Sequence, residues 1–181
     1  QTRLDTTYTL DSSEFYYLYQ VDVMNLNEYV SSSNILNVWV YLWGEYYSIE
    51  YTDSLILSNN QLTGEIPPEI WNLTNLTHLD LSGNGLTGSI PSEIGNLTNL
   101  TWLSLDDNQL TGPIPPEIGN LTNLTFLDLW NNQLTGSIPS EIGNLINLNS
   151  LYLHHNRLTN SIPSELGDIT NLYVLYLFDN Q

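Results

Sequence analysis

Four aspartates carry the clearest potential for ligand chemistry in this sequence. Asp80, the adjacent Asp106 and Asp107, and Asp128 lie roughly one copy of an internal repeat apart, so a repetitive fold would bring their carboxylates close together. Carboxylate oxygens are ligands that Ca²⁺ prefers. Because the spacing follows the repeat and matches no dedicated calcium-binding loop, we favour a solvated acidic patch, keep Ca²⁺ as the alternative and expect no other cofactor.

Aromatic side chains recur at the same spacing as these carboxylates. If they lie on neighbouring strands of one sheet, about 4.8 Å apart, they form a continuous exposed patch. Such a patch usually marks an interface, although aromatic residues also stabilise a strand surface without any ligand. We predict a binding face for a peptide, a glycan or another subunit, composed of His78, Asp80, Trp102, Asp106, Phe126, Asp128, Trp130, Tyr152, His154, Tyr176 and Phe178.

No catalytic or metal-binding arrangement stands out beyond the repeat. His154 and His155 are adjacent, and neighbours in a strand point to opposite faces, which is poor geometry for one metal. The segment Gly83–Gly88 matches a glycine-rich nucleotide motif, but no strand–helix unit of the required kind surrounds it. With no cysteine in the chain, disulfides and cysteine metal sites are excluded. We predict that the protein is not an enzyme.

The chain contains three pairs of N-glycosylation sequons. This Asn-x-Thr pattern is the acceptor for N-linked glycans in secreted proteins, but here it also coincides with the way in which the repeat is written. The candidate glycosylation sites are Asn72, Asn75, Asn96, Asn99, Asn120 and Asn123.

All of these positions belong to a 24-residue unit that is repeated from about residue 52 to residue 181. Leucines recur in three columns, and an asparagine and an Ile-Pro pair recur in two more. A fixed period with fixed apolar columns indicates a solenoid, because one copy cannot bury its own apolar face. The columns include Leu79, Leu103, Leu127, Leu151 and Leu175, and Asn84, Asn108, Asn132, Asn156 and Asn180.

Each part of the repeat predicts a local structure. The segment L-x-x-L-x-L predicts a short parallel strand with inward leucines. The following asparagine is expected to bond backbone groups of adjacent turns. The segment L-T-G-x-I-P predicts a second extended piece, and S-E-I-G-N-L predicts a short helical or 3₁₀ turn.

The negative charge of the chain argues against two classes of partner. Twenty acidic residues stand against two basic ones, which gives a net charge of −18. Nucleic acid and anionic membrane surfaces attract basic proteins, so both are unexpected partners. The longest apolar run is too short to span a bilayer, and we expect no membrane insertion.

Residues 1–51 differ in composition from the repeats and are rich in tyrosine. Residues 14–24 predict a strand, and Gly44-Glu45 predicts a type II′ hairpin turn. We therefore expect a β-rich N-terminal cap or a small β segment at residues 1–51, followed by the solenoid at residues 52–181, whose last repeat is incomplete.

The repeat resembles the plant-type extracellular leucine-rich repeat, L-x-x-L-x-L-x-x-N-x-L-x-G-x-I-P-x-x-I-G-N-L-x-N. The resemblance implies a right-handed curved solenoid with a parallel sheet on its concave side and short outer turns. It also implies an extracellular, secreted or cell-surface protein, since the family includes receptor ectodomains, enzyme inhibitors, and adhesive and ice-binding proteins. The chain lacks the cysteine pairs and the helical cap of many members.

Two functions remain open at this stage. The first is a structural protein that assembles head-to-tail, in which an uncapped last repeat contacts the N-terminal segment of the next subunit and builds a fibre. The second is a recognition module that binds a peptide or glycan on its aromatic face. The residues expected to assemble are Leu172, Leu175, Leu177, Tyr17, Tyr19, Trp39 and Trp43.

Overall fold

The computed structural model of this 181-residue chain describes residues 39–181. Several predictions concern residues that lie outside this range, namely the strand at residues 14–24 and the assembly contacts of Tyr17 and Tyr19. The boundary at residue 51 between a cap and the solenoid also stays a prediction.

The repeat strands form one six-stranded parallel sheet in the order β13-β11-β9-β7-β5-β3. Neighbouring strands are shifted by one repeat, so that Leu79 pairs with Leu103 and Leu103 with Leu127. The strands are β3 (Ser54–Ile56), β5 (His78–Asp80), β7 (Trp102–Ser104), β9 (Phe126–Asp128), β11 (Ser150–Tyr152) and β13 (Val174–Tyr176). The predicted solenoid and its register are confirmed.

Leucine and isoleucine columns fill the core behind this sheet. Leu79, Leu103, Leu127 and Leu151 are fully buried, because alternate strand residues point to opposite faces and the leucines take the inner one. Burying one such side chain stabilises the fold by about 1.5–3 kcal/mol. The core therefore runs along the stack as one continuous cluster.

A second set of short strands and a row of 3₁₀ turns complete each repeat. The strands are β4 (Thr63–Glu65), which pairs with β6 (Gly85–Thr87), and β8 (Thr111–Pro113), β10 (Gln133–Gly136) and β12 (Arg157–Leu158), which form a parallel sheet. The predicted outer turns are η1 (Pro68–Asn72), η2 (Ser92–Asn96), η3 (Pro116–Asn120), η4 (Ser140–Asn144) and η5 (Ser164–Asp168). A proline that lacks an N–H group precedes each turn.

The asparagine that recurs in each repeat bonds the backbone of the preceding repeat, as the sequence pattern predicts. The amide of Asn108 donates to the Leu81 carbonyl at 3.0 Å and accepts from the Leu86 N–H at 3.0 Å. Asn84, Asn132, Asn156 and Asn180 repeat both bonds. Buried backbone groups thereby find partners where no strand pairing reaches them.

An antiparallel hairpin precedes the repeats within the described range. β1 (Trp39–Leu42) pairs with β2 (Glu45–Ser48), and Val40 and Leu42 join the core cluster. The predicted turn is wrong by one residue: Trp43 and Gly44 link the strands, both with positive φ, as in a type I′ turn. Glu45 instead pairs with Leu42, in a register that keeps Val40 and Leu42 buried.

The last described turn exposes apolar surface that the earlier turns bury. Leu175 is 42% exposed, whereas its counterpart Leu151 is 0% exposed. Ile162 is 60% exposed, and Leu172 and Leu177 are only partly buried. Of the predicted assembly residues, three leucines therefore lie at this edge, while Trp39 and Trp43 lie on the hairpin.

Candidate recognition face

The predicted binding residues share one surface of the six-stranded sheet. Strand pairing aligns His78, Trp102 and Phe126 in one column, and Asp80, Ser104 and Asp128 in the next. We call this surface, opposite the leucine core, the open face. It consists of His78, Asp80, Trp102, Ser104, Asp106, Phe126, Asp128, Trp130, Tyr152, His154, Tyr176 and Phe178.

Aromatic rings on the open face pack against each other from strand to strand. Trp102 and Phe126 stack with centroids 3.6 Å apart and planes within 6°. Phe126 continues to Tyr152 at 5.5 Å, and Tyr152 meets Tyr176 edge-on at 5.2 Å. These contacts stabilise the surface, so part of the aromatic content serves the sheet itself, while Trp102 and Tyr176 remain 38% and 47% exposed.

A second aromatic row lies just beyond the strand ends. Trp130 stacks on His154 at 5.5 Å, and His154 lies 4.5 Å from Phe178. The Nε1 of Trp130 and the Nδ1 of His154 are buried and have no hydrogen-bond partner. Burial lowers the pKa of His154, as does the adjacent His155, while the carboxylate of Asp179 acts in the opposite direction.

Three of the four predicted acidic residues lie on the open face. Asp80 accepts hydrogen bonds from the N–H and hydroxyl of Ser82, and Asp106 accepts one from the Ser104 hydroxyl. Asp107 belongs to a neighbouring column of left-handed residues and accepts from Asn131 at 2.6 Å. The sheet therefore brings Asp80, Asp106 and Asp128 together and turns Asp107 toward a different partner.

Among the acids of the open face, Asp128 has the pKa that is raised furthest above that of a solvated carboxylate. Burial is the main cause that raises its pKa to about 7, and repulsion from Asp106 acts in the same direction. A hydrogen bond that the Trp130 N–H donates at 2.9 Å opposes the shift. Burial also raises the pKa of Asp106, against the bond from Ser104. Two half-buried carboxyl groups with raised pKa values thus adjoin the aromatic rings.

The predicted Ca²⁺ alternative gains no geometric support. Within residues 39–181, no three His, Asp or Glu side chains are placed to hold one metal ion. The prediction that His154 and His155 point to opposite faces of a strand is wrong, because both residues follow β11 and their rings lie 5.3 Å apart. His155, with φ of 52°, contacts Asp179 at 3.0 Å.

The six sequon asparagines lie on another part of each repeat, at and after the outer turns η1 to η3. All six are exposed. Half of them form a second row of side-chain-to-backbone hydrogen bonds between repeats. The sequence pattern alone did not reveal this row, because the sequon explained the same residues.

Parallel strands shifted by one repeat, a continuous leucine core and a row of outer 3₁₀ turns define a repeat solenoid. Leucine-rich-repeat families match residues 51–110, 98–144 and 147–169. The ectodomain of the receptor kinase SOBIR1 from Arabidopsis thaliana is 30% identical at a TM-score of 0.69, with 94% of each chain covered. The chain belongs to the leucine-rich-repeat family, in its plant extracellular type.

Two longer receptors are also similar to this chain. The ectodomain of the Arabidopsis thaliana receptor kinase GASSHO1/SCHENGEN3, solved with CASPARIAN STRIP INTEGRITY FACTOR 2, is 47% identical over 71% of this chain, with a TM-score of 0.70. The plant peptide hormone receptor RGFR1, solved with RGF2, is 42% identical over 70%, with a TM-score of 0.69. This chain covers only 15% and 20% of those two chains.

No curated protein matches the chain by sequence. Among residues 39–181, no helix has the length and apolar character needed to cross a membrane.

Proposed function

We propose that this chain is a non-enzymatic recognition module that works outside the cell or at its surface and binds an extended peptide on the open face. The observation that carries the proposal is the continuous aromatic strip from Trp102 to Tyr176 beside an acidic pair. Similar chains are ectodomains of plant receptors, some of them solved with peptide hormones.

The dimensions of the open face suit a short extended segment. Six strands at about 4.8 Å span roughly 24 Å, which an extended chain crosses in about seven residues. Because Trp102 and Phe126 stack on each other, each of these rings has one face already covered. The exposed aromatic surface beside carboxylates suits apolar and basic side chains, so we favour a peptide over a glycan.

The charge of the open face favours a basic ligand. Asp80, Asp106 and Asp128 lie on it, and Arg157, the only Lys or Arg in residues 39–181, belongs to β12 of the other sheet. A Lys or Arg of the peptide would pair with Asp106 and Asp128, which raises both association rate and specificity. We therefore infer a peptide with basic and apolar side chains.

Head-to-tail assembly into a fibre, the first of the two sequence-based hypotheses, receives less support. Several similar solved chains are ectodomains of plant receptors, and some of these were solved with a bound peptide hormone. The apolar edge at β13 remains the observation that favours assembly, and its test is given below.

Selection from a random displayed peptide library against the purified chain tests the proposal. We expect enriched peptides that combine Arg or Lys with apolar residues. Asp106→Asn and Tyr176→Ala should each weaken their binding roughly tenfold, about 1.4 kcal/mol. The matched controls are Asp168→Asn on η5 and Tyr173→Ala, both exposed and off the open face. If the controls lose as much affinity as the open-face variants, or if no peptide is enriched, the proposal is contradicted.

A further inference from the structure

The paired sequons separate into two structural classes. In each pair the first asparagine is the last residue of an outer turn and is exposed. Within the described residues, its side chain makes no hydrogen bond to the protein. This class comprises Asn72, Asn96 and Asn120.

The second asparagine of each pair is bonded to the preceding repeat. The Nδ2 of Asn99 donates to the Thr74 carbonyl at 2.9 Å, and Asn123 donates to the Thr98 carbonyl at 2.9 Å. Asn75 donates to the Glu50 carbonyl at 2.8 Å. The nitrogen that would carry a glycan is thus the donor that joins two turns of the solenoid.

The threonines of the sequons divide in the same way. The hydroxyls of Thr77, Thr101 and Thr125, which complete the second sequons, donate to backbone carbonyls one repeat earlier at 2.9, 3.0 and 2.9 Å. In the first sequons, Thr74, Thr98 and Thr122 are exposed, and the described contacts leave their hydroxyls unbonded to protein. In the second sequon, the asparagine amide and the threonine hydroxyl therefore both make hydrogen bonds that join neighbouring repeats.

The second row of asparagines continues where no sequon exists. Asn147 donates to the Thr122 carbonyl and Asn171 to the Ile146 carbonyl, each at 2.8 Å. The residues two positions later are Asn149 and Tyr173, so neither asparagine can accept a glycan. The fold uses this column for its hydrogen bond alone.

We propose that, when the chain passes through a eukaryotic secretory pathway, only the first asparagine of each pair carries an N-linked glycan in the folded protein. In the transfer, Nδ2 bonds to the anomeric carbon of a lipid-pyrophosphate-linked oligosaccharide. The bond from that carbon to the pyrophosphate breaks with its electron pair, and one amide proton leaves. The modified residues are Asn72, Asn96 and Asn120, and the unmodified ones are Asn75, Asn99 and Asn123.

Glycan transfer replaces one of the two Nδ2 hydrogens, and its consequences differ between the two classes. Asn99 and Asn123 each keep one hydrogen, but the bulky glycan would share the nitrogen that lies 2.9 Å from a carbonyl of the preceding repeat. At Asn75, Nδ2 donates to both the Ile49 and Glu50 carbonyls, so a glycan there removes a donor between turns. A buried or shared carbonyl left without its donor destabilises the fold. At Asn72 the same change affects no contact, and chains modified there fold and are secreted.

The proposed glycans would lie along the outer turns rather than on the open face. This inference is independent of the proposed peptide binding, because it depends only on the hydrogen bonds of the two asparagine rows.

Site occupancy in the intact chain secreted from eukaryotic cells tests the inference. Enzymatic release of the glycans in heavy-oxygen water marks each formerly occupied asparagine, and peptide mass spectrometry then counts the label at all six. We expect label at Asn72, Asn96 and Asn120, and at least a fivefold lower occupancy at the other three. Equal occupancy in the two classes, or no label at any site, would overturn the inference.

A variant without the first sequons gives the decisive comparison. Combined Thr74→Ala, Thr98→Ala and Thr122→Ala removes those sequons and leaves every bonded asparagine in place. We expect secreted protein that is free of glycan and melts as the wild-type chain does after glycan release. If Asn75, Asn99 and Asn123 become occupied in secreted protein of unchanged melting temperature, the hydrogen-bonded row does not protect them and the inference fails.

Discussion

Asp128 is an acid held at the boundary between solvent and the aromatic rings of the open face. Its burial raises its pKa to about 7, while an unfolded chain would return it to the ordinary value near 3.9. The folded protein therefore binds a proton that the unfolded chain releases between these two values. A basic peptide on this face would favour the ionised form and displace that proton.

The stability of the wild-type chain should fall as pH rises from about 4 to about 7, because the folded state binds more protons than the unfolded state in that window. Asp128→Asn keeps an oxygen that accepts from the Trp130 N–H but removes the titration. We expect its free energy of unfolding to depend less on pH in this window and to exceed the wild-type value at pH 8. Urea titrations from pH 4 to pH 8 measure both.

The other acids of this highly charged chain also change stability with pH, so Asp168→Asn on the outer turn serves as the control. It should leave the wild-type slope nearly unchanged. An Asp128→Asn slope equal to that of the control would show that the carboxyl of Asp128 is solvated in the folded protein.

For single residues, the sequence predicts which side chains share the open face, but it does not predict how deeply each is buried or how its pKa is shifted. The columns that hold Trp102 and Asp106 follow directly from the period. The burial of Asp128 depends on side-chain packing around the carboxyl, and a period contains no information on side-chain packing. The pairing of Asp107 with Asn131 was missed for the same reason.

From η2 to η5 the outer turns pack closely against each other at a glycine of the repeat. A Cβ atom added to Gly119 would lie 2.5 Å from the carbonyl oxygen of Glu141 in the next turn. At Gly167, in η5, the same added atom meets nothing within 4 Å. The same residue of the repeat is thus constrained by packing in one copy and unconstrained in another.

Gly119→Ala should lower the free energy of unfolding by about 2 kcal/mol, because the two turns must move apart to admit the methyl group. Gly167→Ala should raise it by about 0.5 kcal/mol, because alanine restricts the unfolded chain and meets no obstacle in the fold. Chemical denaturation of the two variants measures both changes. Since the substitution and the position in the repeat are the same, equal effects would contradict the close packing of η3 on η4.

Most elements follow from the repeat, and the exceptions have local causes. Leu103 and its column require a strand with one buried face, and the Pro after each isoleucine marks the start of an outer turn. The hairpin turn differs from the sequence prediction by one residue, because Gly44 is the second linking residue and not the first. Burial of Val40 and Leu42 fixes a register in which Trp43 adopts positive φ, which no local propensity of tryptophan predicts.

The whole molecule combines strong negative charge with an apolar edge. The net charge of −18 keeps chains apart at low salt, whereas exposed Leu175, Ile162 and Tyr173 offer a contact surface at the last turn. Salt at 1 M shortens the Debye length to about 3 Å. The balance between repulsion and apolar contact is therefore set by ionic strength.

We expect the light-scattering mass of the purified chain to be that of a monomer at low salt and to increase at high salt. Leu175→Glu should keep it monomeric under both conditions, since it places a charge in the apolar edge. Thr170→Glu adds the same charge at an exposed position before β13 and should behave as the wild-type chain does. A monomer at every salt concentration would contradict association through this edge, and with it the fibre hypothesis.

The period also predicts the architecture of the molecule, since each copy must stack on the next. It does not choose between recognition and assembly, because the open face around Trp102 and the edge around Leu175 arise from the same repeat. That choice depends on partners, and comparison with other members of the family favours recognition.

The hydrogen bonds of the asparagine row all run in one direction along the stack, and they stiffen the turns that a following repeat closes. Each asparagine closes the turn before its own, so β7 and β9 are held by their own repeat and by the one that follows. Trp102 and Phe126 therefore lie on turns that are closed by hydrogen bonds from the repeat that follows them. A ligand that contacts these two rings would meet a stiff part of the open face.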